Sequence, residues 1–221
     1  MAALFISASA FAAKPYHLEL EASPGAVFPY LGRFGDVELH VYEGGVRAEA
    51  LWLNSFSRNG AADVTVMNPL GRMYVEVPIA DIAPTLRKLA GNSAGIERAA
   101  VPSGVTSSKG KVGKYEATRN RLSYGPEAWI DVWTTKVVPE NPQLRRIINA
   151  LLEGISPGTA RLASKFSGTP ILIELNFRRF KKVQLLKLKK LSMTADDEQD
   201  ALTLGAMYMR ATVLEKLLEK K

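Results

Sequence analysis

The chain has no cysteine and only two histidines among its 221 residues. The first absence excludes disulfides, thiolate metal sites, a cysteine nucleophile and a lipid-anchoring cysteine. Secreted eukaryotic domains more often carry disulfides, so the lack fits a bacterial periplasm more easily. Neither a G-x-G-x-x-G phrase nor a Walker loop occurs, which argues against a nucleotide-binding fold. Beyond residue 13 no charge-free apolar run approaches the roughly 20 residues that a membrane-spanning helix needs.

What is present is enough apolar material, 47% of residues, to bury one good core, and a single domain is expected. The start, MAALFISASAFAAKPYHL, runs uncharged through Ala13 and sets Ala10 and Ala12 around Phe11, as in a cleavable secretory signal. No Lys or Arg precedes that run; a start codon placed too far downstream would account for the gap. Residues 1–13 are therefore expected to be a signal peptide, and the mature chain to be periplasmic. The formal charge of +7 is moderate, and an exported protein rarely meets nucleic acid, so no nucleic-acid partner is expected.

Period-two alternation dominates the first half, as antiparallel strands with one buried and one wet face require. Tyr16, Leu18 and Leu20 alternate with His17, Glu19 and Glu21, and Val37, Leu39 and Val41 with Glu38 and His40. A turn at Glu43-Gly44-Gly45 leads into VRAEALWL, then DVTVM and MYVEV. Ile79, Ile82, Leu86 and Leu89 suggest a helix that Pro84 would break or kink. The Gly- and Ser-rich stretch GNSAGIERAAVPSGVTSSKGK reads as a loop. Strands resume at KYEATRNRLSY and AWIDVWTTKVV, followed by a helix over PQLRRIINALLEGI with Leu144, Ile147, Ile148 and Leu151 on one face. TPILIELNF and VQLLKLKKL form a last hairpin. Leu204, Met207, Ala211, Leu214 and Leu218 then mark an amphipathic helix, with Thr194 as its N-cap and Lys216, Lys220 and Lys221 at its negative end. The expected fold is α+β: a curved antiparallel sheet of about eight strands, an unclosed half-barrel over residues 14–193, with helices covering one face and a long C-terminal helix at 194–221.

Gly154-Ile155-Ser156-Pro157-Gly158 matches G-x-S-x-G, the phrase of a serine-hydrolase elbow. That elbow needs a strand before the serine and a histidine after it. A helix precedes Ser156, and both histidines come earlier in the chain. The phrase reads instead as helix punctuation: Gly154 ends one helix in the left-handed conformation, Ser156 caps the next and Pro157 takes its first turn. No enzyme activity is expected.

His17 and His40 have glutamates on the same strand faces, so a two-histidine, one-carboxylate metal site is conceivable. Met207 fits the helical stripe, and Met209 lacks a thioether or thiol partner nearby. No metal and no cofactor is expected on this ground. The run NFRRFKKVQLLKLKK gathers Arg178, Arg179, Lys181, Lys182, Lys187, Lys189 and Lys190 without an acid. It would serve either as a contact for anionic lipid headgroups or an acidic partner, through Arg178, Arg179, Lys181 and Lys182 first, or as a solvated hairpin whose lysines discourage edge pairing.

The order of these features, a cleaved signal, a strand meander, a helix, the phrase AWIDVWTTKVVP, a second helix, GTPILIELNF and a basic strand, resembles the superfamily of periplasmic outer-membrane lipoprotein carriers. The resemblance covers about residues 14–193 and implies an unclosed half-barrel whose apolar concave face, roofed by helices, holds acyl chains. On that reading Leu18, Leu20, Leu39, Val41, Trp52, Trp133, Ile171 and Ile173 line the cavity. The partner would be a lipid or a lipidated protein. The alternative is a cell-envelope interaction protein that binds through the basic hairpin or the C-terminal helix to an envelope partner or an anionic membrane surface.

Overall fold

The computed structural model describes residues 15–23, 35–50, 53–90, 101–178, 182–193 and 197–212. Six strands come first: β1 Tyr16–Ala22, β2 Gly35–Val41, β3 Gly45–Ala50, β4 Leu53–Arg58, β5 Asp63–Asn68 and β6 Met73–Pro78. Helix α1, Ile79–Ala90, leads towards β7 Gly104–Val112, β8 Tyr115–Ser123 and β9 Ala128–Thr135. Helices α2 Pro142–Ile155 and α3 Thr159–Ala163 precede β10 Thr169–Phe177 and β11 Val183–Met193. The described chain ends with α4 Glu198–Ala201 and β12 Met209–Arg210.

All twelve strands join one unclosed sheet in the order β12-β6-β5-β4-β3-β2-β1-β11-β10-β9-β8-β7. Every described pairing is antiparallel except that of β12 with β6. β11 closes onto β1, so the last long strand sits beside the first and the meander halves become continuous.

The sheet curls around α2. Gln143 of α2 donates to the Ser57 hydroxyl in β4 at 2.6 Å, while Ile148 borders a small void with Val132 of β9. On a flat sheet β4 and β9, six places apart in the strand order, would stand about 29 Å from each other. Gln143 and Ile148 are only about 7.5 Å apart along the helix axis, so both contacts require a bent sheet. Curling is the expected relief for a twisted open sheet of this many strands.

Helix α2 forms where the local signals place it. Pro142 takes the first turn and the Asn141 side chain accepts from Leu144 N–H at 2.9 Å, supplying the N-cap. Its buried stripe is Leu144, Ile148, Leu152 and Ile155. The expected stripe with Leu151 is off by one position, and Leu151 faces solvent. The drift follows from 3.6 residues per turn once the sheet wraps more than one side of the helix. Helix α1 runs through Pro84 and packs on α2.

The expected α+β fold with about eight strands and a long C-terminal helix is overturned: the described chain is mostly sheet, with twelve strands and four short helices. Three strands account for much of the excess. VRAEALWL does not continue as one strand; β3 ends at Ala50 and β4 begins at Leu53 as its antiparallel partner. GVTSSKGKV, expected as loop, is the edge strand β7, registered against β8 from Gly104 opposite Ser123 to Val112 opposite Tyr115. An edge strand wet on both faces needs no apolar alternation, so its polar composition hid it.

Among the described residues of 194–221, the expected long helix gives way to a single helical turn, α4. Asp197 caps α4, accepting from Gln199 and Asp200 N–H, while Thr194 and residues 213–221 lie outside the described residues. Leu204, Met207 and Ala211 lie off any helix, and Met207 is exposed. Met209 N–H donates to Arg72 C=O at 2.9 Å and Ala211 N–H to Tyr74 C=O at 2.6 Å. This segment therefore completes the otherwise open ladder of β6, and Ala201 and Leu202 cover Tyr42, Phe56 and Met67. Tertiary pairing outweighs a helix propensity of tenths of a kcal/mol per residue.

Candidate functional site

Six of the eight residues expected to line an apolar cavity, Leu18, Leu20, Leu39, Val41, Ile171 and Ile173, meet in one buried cluster. The register explains the convergence: Leu18 lies opposite Leu39 on one side and Leu191 on the other, and Ile173 opposite Val132. The stripe of α2 fills the centre of this cluster. The void among Val132, Ile148, Leu152, Ala163 and Phe166 is only about 10 Å³, so side chains of α2, α3 and β9 fill that part of the interior.

Trp133 lies on the other face. Ile130 and Val132 face inward with Leu175 and Ile173, so alternation sends Trp133 outward, where it sits opposite Leu172 and Arg119. The Arg119 guanidinium is 5.7 Å from its ring centre. A β-carbon at Gly110 would come within 2.8 Å of that ring, so the indole uses the space a side chain on β7 would fill. Trp52 lies outside the described residues.

At the β7 edge the interior ends in an open groove of about 530 Å³, lined by Val105, Ser107, Thr118, Asn120, Leu162 and Phe166 among others. Phe166 borders both this groove and the small internal void. It is thus an aromatic side chain that both the open groove and the packed centre share. Asn120 is buried at the groove floor, accepting from Ser107 Oγ at 2.8 Å and donating to Thr134 Oγ1 at 3.3 Å. A second open depression of about 830 Å³ lies at the tip of the β7–β8 hairpin, where Lys109, Lys111 and Lys136 stand among threonines.

Of the four basic residues expected to meet an anionic surface, Arg179 and Lys181 lie outside the described residues. Arg178 faces Glu127 at 3.4 Å and Lys182 faces Glu174 at 2.5 Å. Further along, Lys189 pairs with Asp36 and Lys190 with Glu19. Four cations of this run, Arg178, Lys182, Lys189 and Lys190, are therefore paired with acids from elsewhere in the chain. Lys190 holds the Glu19 carboxyl below its usual value, and Asp36 and Glu19 raise Lys189 and Lys190.

The outer face also holds groups that no motif announced. Asp131 is buried between Trp129 and Trp133 and takes a bidentate pair from Arg121 at 2.8 and 2.9 Å. That hydrogen-bonded pairing raises the Arg121 guanidinium above its usual value. Glu174, equally buried, stands directly opposite Asp131. The phrase W-x-D-x-W was the available signal, because it puts an acid between two large rings on one strand face.

The GISPG punctuation differs from expectation. Gly154 lies inside α2 and is buried; a β-carbon there would come within 2.8 Å of Leu86, so glycine permits the close approach of α1. The left-handed residue is Gly158, with φ 78°, and Ser156 ends α2. Ser156 has no exposed surface. A nucleophile needs access, and this hydroxyl has none.

His17 and His40, on adjacent strands, stand directly opposite one another. Their rings stack at 4.5 Å between centres and 12° between planes. Both Nε2 atoms approach the same oxygen of Glu38, at 3.7 and 4.0 Å. The residues named for a conceivable metal site are thus brought together.

No family model matches the chain, and no curated protein does. Among solved structures, an uncharacterised conserved protein from Thermus thermophilus aligns over 90% of each chain at 9% identity and a TM-score of 0.49.

Proposed function

We propose that this chain is a non-enzymatic periplasmic carrier or binding protein that shields a lipid, or the acyl part of a lipid-modified client, inside the curled sheet. The observation that carries the reading is the closure of a continuous apolar sheet face by one amphipathic helix. Leu144, Ile148, Leu152 and Ile155 are buried in the apolar cluster with the strands, and an acyl chain offers the same apolar surface. Swapping one apolar partner for another leaves the transfer free energy nearly balanced, so opening costs little once a ligand is present. The mouth would be the groove at β7, with Phe166 moving aside.

Native mass spectrometry of the purified chain, followed by organic extraction, tests this. Co-purifying lipid, or saturable binding of a fluorescent fatty-acyl probe, is the expected result. The Phe166→Ala variant should change the probe's association rate several-fold. A lipid-free chain that binds no acyl probe would sink the proposal.

A further inference from the structure

We infer that His17, Glu38 and His40 form a binding site for one divalent transition-metal ion of the zinc class. The site lies on the outer face of β1 and β2, opposite the packed interior, and is independent of the carrier reading. Among the described residues this trio places one ligand atom from each side chain within 4.8 Å of the others. Two imidazole nitrogens and a carboxylate are a ligand set of zinc and neighbouring ions, and water completes the shell.

Three features go beyond proximity. First, the trio sits on regular strands rather than a loop: His17 faces His40 in register, and Glu38, two residues before His40, emerges on the same side. The ligand directions are therefore set by the sheet. Secondly, His17 Nε2 is buried and has no hydrogen-bond partner, although it points at Glu38 3.7 Å away. A buried polar nitrogen left this way costs free energy, which a metal bond would offset. Thirdly, Ser192 Oγ lies 3.4 Å from His17 Nδ1, placed to accept its proton and leave the Nε2 lone pair outward.

The geometry needs a small adjustment. Bonds of about 2.0–2.1 Å in a tetrahedral site set ligand separations of about 3.4 Å. The nitrogen-to-oxygen distances of 3.7 and 4.0 Å must therefore shorten slightly. A metal lies in the plane of each imidazole it binds, so the near-parallel stack must also open by rotation of one ring. Glu38 is about half exposed, which leaves it free to follow. Arg47, opposite His40, is held by Glu49 at 2.7 Å and by the Ala201 carbonyl at 3.2 Å, and Lys190, whose charge acts on Glu38, is paired with Glu19 at 2.8 Å.

The test is titration of the full chain, free of any histidine tag, with zinc by calorimetry and with cobalt(II) by visible absorbance. Expected are one ion per chain with a micromolar Kd and ligand-field bands that zinc abolishes. His17→Gln and His40→Gln should each weaken binding by about tenfold or more. Glu38→Gln, at an exposed position, should do the same with an unchanged melting temperature of the metal-free protein, which keeps the test decisive if a histidine variant misfolds. Absence of saturable binding, or binding that survives Glu38→Gln and the histidine variants undiminished, would overturn the site.

Discussion

On β1, Tyr16, Leu18 and Leu20 point towards α2, whereas His17, Glu19 and Glu21 point away, and β2 repeats the division with Val37, Leu39 and Val41 against Glu38 and His40. The inner face is held by volume: apolar side chains meet around one helix, and the void beside Val132 and Ile148 is only about 10 Å³. The outer face is held by pairing, as in Lys190 with Glu19, Arg121 with Asp131 and Lys182 with Glu174. Neighbouring residues on one strand therefore answer to different physics. Truncation should hurt inside, while outside only the buried charges should matter.

The strongest challenge to that contrast is Leu18→Ala, which empties a position with no exposed surface. It should cost about 3 kcal/mol in urea unfolding. A cost below about 1 kcal/mol would show that the interior is loosely packed, as an already opened carrier would be. Next is Asp131→Asn, which leaves the Arg121 guanidinium against a neutral amide and should cost about 2 kcal/mol. If it proves as mild as Glu19→Gln at the exposed Lys190 pair, burial does not distinguish the outer-face pairs after all.

The smallest effect is expected at Tyr16, where an inward ring sends its hydroxyl out to donate to the Pro139 carbonyl at 2.5 Å. Tyr16→Phe should lose about 1 kcal/mol at neutral pH. Burial pushes the Tyr16 phenol from 10.0 up to about 12. The folded state thus holds the proton more tightly than the unfolded chain. Its contribution is fully present below pH 10 and is lost as pH rises towards about 12. The variant should accordingly lose less stability across that alkaline window than the wild type, as urea midpoints at a series of pH values would reveal.

Much of the strand framework was legible because alternation is local. So was α2, whose start Asn141 and Pro142 mark within four residues of Leu144. Edge elements were the hard part: β7 has no apolar face to advertise it, and β12 exists only because β6 had an open side. The outward turn of Trp133 follows from the parity of β9, which the apolar appearance of W-I-D-V-W conceals. The same limit applied to the histidines: each was visible with a glutamate nearby, yet nothing in the chain says that His17 will stand against His40.

By itself the sequence determined which residues alternate, that no disulfide can staple the fold, and where the central helix begins. Each of these depends on covalent chemistry or on contacts within a few residues. Tertiary structure alone decided that β11 lies beside β1, that the basic run meets acids from other strands, that the segment after α4 pairs with β6, and that His17, Glu38 and His40 converge. Those outcomes rest on strand order and register, which are set by the summed fit of distant surfaces once the sheet has curled around α2.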